Sequence, residues 1–240
     1  MIKFKIITPV YNSEKYISKC IESVLNQTIS NWTMYIANDL STDNTLNIIK
    51  NYNDSRIILI DNKIKHYSSG NHHQIIHKTE INDADICIDL DGDDWLAHNN
   101  VLKNIQDIYK SNNILMSHGS FIQCIGNKFL AGFNKQPENW NNLRNLLYTT
   151  THLRTYYTGL FRKIKEQDLR DWNGNWFEAA GDTAFMYPML EMAGKDRTYF
   201  CQDINYIYNT ENPLNEHKDN FNRQIQNALY IKKMSKYDRI

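Results

Sequence analysis

The run Ile86-Cys87-Ile88-Asp89-Leu90-Asp91-Gly92-Asp93-Asp94-Trp95 constrains this chain more than any other segment. It starts as a buried strand and ends in a knot of carboxylates. Asp91, Asp93 and Asp94 crowd one turn, where like charges repel and unpaired burial would cost several kcal/mol. Packing alone never selects that pattern. A divalent cation resolves it, because Mg²⁺ and Mn²⁺ favour carboxylate oxygens. At the C-terminal end of a strand in an α/β sheet, such an ion is placed to hold a phosphate-bearing ligand.

The segments before the knot alternate between strand and helix patterns. Residues 4–8 form a β-branched run stopped by Pro9, and 32–37, 56–60 and 84–90 read as further strands. Helical apolar spacing covers 15–26 with Ser13 as cap, 42–52 with Ser41 or Thr42 as cap, and 71–81. Strands separated by helices imply right-handed crossovers and a mostly parallel sheet flanked by helices. The second half is less regular. A strand is expected at 114–123, a Gly/Pro/Asn-containing connection at 128–140, and a helix at 183–192 closed by Gly194. Two short strands at 198–201 and 204–208 and a last helix at 220–236 follow. The expectation is one domain over 1–240, with a ligand-binding half at 1–98 and a more variable half at 99–240.

Bulk properties narrow the class. Lys+Arg and Asp+Glu both number 27, so no basic excess marks a protein that coats nucleic acid. A hydrophobic content of 41% supports a real core. Cys20, Cys87, Cys124 and Cys201 are widely spaced, which predicts reduced buried thiols rather than a disulfide framework or zinc knuckle. The N-terminus runs directly into a strand, and no apolar stretch reaches the roughly 18 residues a membrane span needs. A cytoplasmic enzyme is the resulting expectation.

Four segments in order carry a family resemblance: Thr8-Pro9-Val10-Tyr11-Asn12, the stretch Asn38-Asp39-Leu40-Ser41-Thr42-Asp43-Asn44-Thr45, the Asp89–Leu96 knot, and Gly181–Gly194. Together they resemble the nucleotide-sugar half and the catalytic-acid segment of family 2 glycosyltransferases of GT-A fold, over residues 6 to about 217. The resemblance implies that Thr8, Pro9 and Tyr11 line the nucleoside pocket and that Asp39 accepts from the uracil N3–H. It implies that Asp91 and Asp93 form the metal-binding pair, with Asp91 facing ribose or metal, and that Mn²⁺ or Mg²⁺ bridges the donor diphosphate. Asp94 then ligates or orients a neighbour, and Asp89, on the same sheet face as Asp91, gives support. Asp182 aligns with the general base of inverting members, although an Asp there also suits a helix cap. His217 stands where such enzymes bring a C-terminal histidine to the metal.

Two departures from the family pattern stand out. Asn38 occupies a position usually held by Asp, and the Gly70–Gln74 turn lacks the usual Arg. Gln74, His72 or His73 are candidates to supply donors to the nucleotide instead, and Arg154 or Lys218 to grip the diphosphate or acceptor. His73 and His77 stand four apart, a zinc spacing, without the acid that would complete a metalloprotease motif. Trp172, Trp176 and Phe177 surround a Gly-Asn turn and suit either sugar stacking or core packing.

The implied activity is metal-dependent, inverting transfer from a nucleotide-sugar, in particular a UDP-sugar, to an acceptor hydroxyl. One alternative is a phage-type DNA glycosyltransferase acting on hydroxymethylated pyrimidines. It would need a basic strip, for which Arg144, Arg154, Arg162, Lys163, Lys165 and Arg170 are candidates. Another is a non-catalytic nucleotide-sugar-binding protein.

Overall fold

Strand β1 (Phe4–Val10) is the centre of a parallel block that runs β3 (Ile57–Asp61), β2 (Trp32–Asn38), β1, β4 (Ile86–Asp89). In register, Ile6 lies beside Met34 and Ile88. The computed structural model describes residues 2–125, 128–131, 135–213 and 221–240. The alternation of side chains along each strand sends two sets to opposite faces. Phe4, Ile6, Met34, Ile36, Ile86 and Ile88 join a core with α1 (Ile17–Leu25) and α4 (Val101–Ser111). Ile7, Tyr35, Ala37 and Cys87 join a second core with α3 (Tyr67–Lys78), α5 (Thr158–Phe161) and α6 (Gly181–Ala193). The short helix α2 (Thr45–Lys50) links β2 to β3.

The sheet then continues as a mixed one. Strand β8 (Thr155–Tyr157) lies antiparallel to β4, and next come β6 (Met116–Ile125), β9 (Thr198–Asn209) and the two-residue β5 (Trp95–Leu96). Strand β7 (Lys128–Ala131) pairs with β6, and helix α7 (Phe221–Lys233) packs against α6. This is a mixed α/β fold with a parallel nucleating block. All four cysteines are buried, and none is joined in a disulfide among the described residues. Among the described residues no helix is long and apolar enough to cross a membrane.

Several boundaries differ from the sequence expectation for identifiable reasons. β1 runs through Pro9, because the Pro9 nitrogen faces the side on which the β4 ladder has ended at Asp89, and no ladder bond is lost. α3 begins four residues early, at Tyr67, because the Asp39 carboxylate caps it from another segment by accepting from His66 N (2.9 Å) and Tyr67 N (2.8 Å). The strands expected at 198–201 and 204–208 are one strand, β9, whose register against β6 shifts around Ser120. A strand, β7, opens the stretch read as a connection.

Candidate active site

A cavity of about 810 Å³ opens where β1, β2 and β4 end. Pro9, Val10 and Tyr11 form one wall, Asp39, Lys65 and Tyr67 a second, Asp91 and Asp93 the floor, and Arg154 and Asp182 the far side. Four non-glycine residues with positive φ stand around it: Asn12, Leu40, Tyr67 and Ala180. Each directly follows or precedes a segment that feeds the cavity. Such backbone is uncommon and persists where surrounding structure enforces it, most often at functional sites.

The acidic knot is built by close packing. A Cβ on Gly92 would stand 2.7 Å from Val10 Cγ2, so only glycine lets the turn close on β1. Asp94 is fully buried and accepts from Tyr206 OH (2.6 Å) and Asn209 N (2.7 Å). Asp93 accepts from Asn212 Nδ2 at 2.7 Å. Burial, reinforced by Asp93 and Asp91, holds Asp94 well above the usual carboxylate range. Burial raises Asp91 to about 6 despite the opposing Arg154 charge, and raises Asp93 as well. Burial thus disfavours the charged form of all three acids. Asp91, Asp94 and His152 bring one ligand atom each within 4.8 Å of one another. Burial, then Arg154, pushes His152 well below its ordinary value, so its ring is neutral, the form that binds metals. This donor set fits a divalent cation.

Opposite the knot, Arg154 Nη2 donates to Asp182 Oδ2 at 2.5 Å. Arg154 is buried, whereas Asp182, in the first turn of α6, remains partly open to the cavity. Burial opposes the Arg154 charge, but Asp182, Tyr148, Asp89 and Asp91 outweigh it and hold the guanidinium firmly protonated. Beneath them His72 Nδ1 faces Ser68 O (2.9 Å) and His72 Nε2 faces Asp89 Oδ1 (3.0 Å). The Ser68 carbonyl only accepts, so Nδ1 carries a proton, and the Asp89 carboxyl favours a second proton on Nε2. Burial lowers the His72 pKa, and Asp89 more than offsets it. Tyr156 OH also donates to Asp89, at 2.8 Å. Asp89 thus anchors the site from below.

The residues expected to form a nucleoside pocket divide between the cavity and the core. Pro9, Tyr11 and Asp39 line the cavity. Asp39 already accepts from Asn62, His66 and Tyr67. A carboxylate offers about four acceptor sites, so one is left for a ligand. Lys65 lies over the Tyr11 ring, its Nζ 3.0 Å from the centroid. Burial lowers its pKa against the pull of Asp39 and Glu178. Lys65 thus places a cation in the cavity wall beside Tyr11 and Asp39.

Other placements correct the sequence reading. Thr8 is fully buried on the β1 face shared with Ile6 and Val10 and does not line the cavity. Gln74 also lies outside the lining and donates to Asn62 Oδ1 and Asn71 Oδ1, bracing the amides behind Asp39. His217 and Lys218 lie outside the described residues. His73 and His77 stack at 4.3 Å away from the cavity, against Trp176 and Phe161. Phe177 and Trp176 are packing residues; Trp172 is exposed.

Of the six cations named for a basic strip, four are engaged in ion pairs, while Lys163 and Lys165 are exposed. Arg144 is buried in a bidentate pair with Glu191, Arg154 holds Asp182, Arg162 pairs with Asp83, and Arg170 pairs with Glu166. These cations serve the fold and the cavity. Sequence reasoning missed His152, Lys65, Tyr67 and Glu178 as lining residues, because each sits on a loop or helix boundary with no motif of its own.

The family model for Glycosyl transferase family 2 matches residues 5–172. The chain belongs to glycosyltransferase family 2. It is 34% identical over 134 residues to the Escherichia coli UDP-Glc:alpha-D-GlcNAc-diphosphoundecaprenol beta-1,3-glucosyltransferase WfgD, covering 55% of this chain and 51% of WfgD. It is 38% identical over 96 residues to the putative glycosyltransferase EpsE of Bacillus subtilis, covering 38% of this chain and 33% of EpsE. The chain thus spans about half or less of the length of these curated relatives. Among solved structures, S. aureus TarS 1-349 in complex with UDP-GlcNAc has a TM-score of 0.68 at 20% identity, covering 88% of this chain and 59% of that one. The mannosyltransferase PcManGT from Pyrobaculum calidifontis, in complex with GDP-Man and Mn²⁺, has a TM-score of 0.62 at 13% identity, covering 95% and 62%. At these identities the likeness carries the fold, which is GT-A as the sequence resemblance implied.

Proposed function

We propose that this chain transfers a sugar from a UDP-sugar to an acceptor hydroxyl, with a divalent cation and with inversion at the anomeric carbon. The observation that carries the proposal is the meeting, in one cavity at the ends of parallel strands, of the Asp91–Asp94 knot and the Arg154–Asp182 pair. Tyr11 offers an aromatic face to the base, and Asp39 keeps one acceptor site for an imide N–H. Lys65 and Arg154 supply positive charge toward the diphosphate. Asp91, Asp93, Asp94 and His152 are the residues that would hold Mn²⁺ or Mg²⁺. The ion, when bound, neutralises charge on the departing nucleoside diphosphate.

Asp182 takes the proton from the acceptor hydroxyl while that oxygen bonds to the anomeric carbon. The bond from that carbon to the diphosphate oxygen breaks, and its electron pair leaves with UDP. Arg154 keeps the Asp182 carboxylate aimed at the cavity. Asp182 acting as base on the acceptor suits a single displacement and hence inversion. WfgD, by its name, acts on a sugar carried by diphosphoundecaprenol. That relative favours a glycan hydroxyl on a lipid carrier over a DNA base as the acceptor.

The test is release of UDP from UDP-glucose and UDP-GlcNAc with Mn²⁺ present. The wild type should release UDP slowly into water, and Asp93→Asn should not. Binding of these donors without any turnover would leave a non-catalytic nucleotide-sugar-binding protein in its place.

A further inference from the structure

We propose that α7 is an interfacial helix that seats the mouth of the cavity against an anionic membrane surface. The helix carries two apolar faces where packing needs one. Asn227 and Ile231 point into the protein, and Asn227 Nδ2 donates to Ala179 O at 2.9 Å. On the other side Phe221, Ile225 and Leu229 are 57%, 43% and 55% exposed. Residues spaced by four fall within about 80° of arc on an α-helix, so these three form a continuous outward stripe.

The stripe extends beyond the helix. Lys232 Nζ donates to Leu146 O at 3.0 Å, which brings the C-terminal turn of α7 beside Leu147. Leu147 is the most exposed large apolar side chain of the described residues, at 83%. Its neighbour Tyr148 lines the cavity, as does Gln224, the residue before Ile225. Exposed Leu147 and Ile225 thus each directly adjoin a cavity-lining residue in the chain. Isolated exposed apolar residues are ordinary, but a contiguous patch at a site entrance marks an interaction surface.

Charge selects the occupant. α7 contains Arg223, which pairs with Glu178 at 3.3 Å, and Lys232 and Lys233, with no acidic residue of its own, and exposed Lys236 follows it. An outward stripe of Phe, Ile and Leu followed by lysines is the pattern of a helix lying in the headgroup region of an anionic bilayer. A second copy of this chain would offer α7's cations no acid from its own α7. Gln224 of α7 and Asp182 line the same cavity, so a membrane-borne acceptor would enter beside this helix. The nature of that acceptor rests on the function proposed above; the membrane contact itself does not.

The test is co-sedimentation of the full chain with vesicles of phosphatidylcholine alone and of phosphatidylcholine mixed with phosphatidylglycerol. The wild type should bind the mixed vesicles and release at high salt. The Phe221→Ser/Ile225→Ser/Leu229→Ser variant should partition roughly tenfold or more weakly, and Lys233→Gln/Lys236→Gln should lose the preference for phosphatidylglycerol. The UDP-induced thermal shift should stay at the wild-type value in both, which separates membrane docking from donor binding. Absence of vesicle binding by the wild type would overturn the proposal, as would equal binding by the stripe variant. A change in molar mass by light scattering as the stripe variant's only effect would also overturn it, in favour of a second copy.

Discussion

Arg154 and Asp182 meet at 2.5 Å in the cavity wall, and the aspartate is the more open of the two. The guanidinium is buried between Asp182 and the floor acids Asp89 and Asp91, so it positions the one carboxylate that an acceptor can reach. Replacing Asp182 by Asn keeps the shape and removes the base. Transfer should fall by roughly 10²–10⁴-fold, the usual contribution of general base catalysis, with UDP affinity unchanged. Initial rates alongside UDP titrations decide this; a near-normal rate would remove Asp182 from the chemistry.

The knot makes a prediction about metal. Burial raises Asp91, Asp93 and Asp94 above the usual carboxylate range, and a bound cation would offset the cost of their charged forms. EDTA should abolish transfer, and Mn²⁺ or Mg²⁺ should restore it. Asp93→Asn should remain folded by circular dichroism and stay inactive after the ion is returned. Full activity in excess chelator would contradict a metal-held diphosphate.

Lys65 sits over Tyr11 with its charge partly desolvated. Lys65→Gln should weaken UDP binding by about tenfold, equivalent to about 1.4 kcal/mol, and flatten its salt dependence. Lys65→Arg should retain most of the affinity, since it keeps the charge over the ring. Calorimetric titration distinguishes these outcomes, and unchanged affinity in Lys65→Gln would assign Lys65 to packing.

The parallel block and the acidic strand end were legible in the sequence because each depends on local pattern. The β-branched runs at Phe4 and Trp32 and the helical spacing of Ile17, Cys20, Ile21 and Val24 report their own burial. Three features needed the tertiary structure. The start of α3 depends on a cap from Asp39, 27 residues before His66. Lys65 and His152 become site residues only because β3 and β8 carry their flanking loops to the cavity mouth. Arg144, read as part of a surface strip, is buried because Glu191 on α6 and the carbonyl of Ile231 on α7 satisfy its guanidinium. Thr8 and Gln74 were placed by motif position, but strand alternation and the Asn62–Asn71 amides turn them away from the cavity.

That buried Arg144–Glu191 pair predicts stability rather than acceptor binding. Arg144→Ala strands the Glu191 charge among α6 and α7 and should cost roughly 3–5 kcal/mol. Denaturant titration measures the loss. A stable Arg144→Ala protein with weakened DNA binding would revive the basic strip.

His118 predicts an acid limb. It is fully buried on β6, no hydrogen-bond partner meets either ring nitrogen, and burial pushes its pKa down to about 4. The folded pKa lies below the unfolded value of about 6.5, so the folded state favours the neutral ring. Its contribution is complete above about 6.5 and is lost as pH falls toward 4, by roughly 3 kcal/mol at most. His118→Leu should flatten the fall in melting temperature between these pH values. An unchanged acid limb would assign that fall to other groups.

The most direct measurement of the central claim is the melting temperature of the wild type with UDP-glucose or UDP-GlcNAc, in Mn²⁺ and in EDTA. A ligand near 100 times its Kd stabilises by about 2.7 kcal/mol, which for a chain of this size is a rise of roughly 5–10 °C. That rise is predicted in Mn²⁺ for the wild type, with little or none in EDTA or in Asp93→Asn. No shift with either nucleotide sugar in Mn²⁺, or an equal shift in EDTA, would contradict a metal-held nucleotide-sugar site.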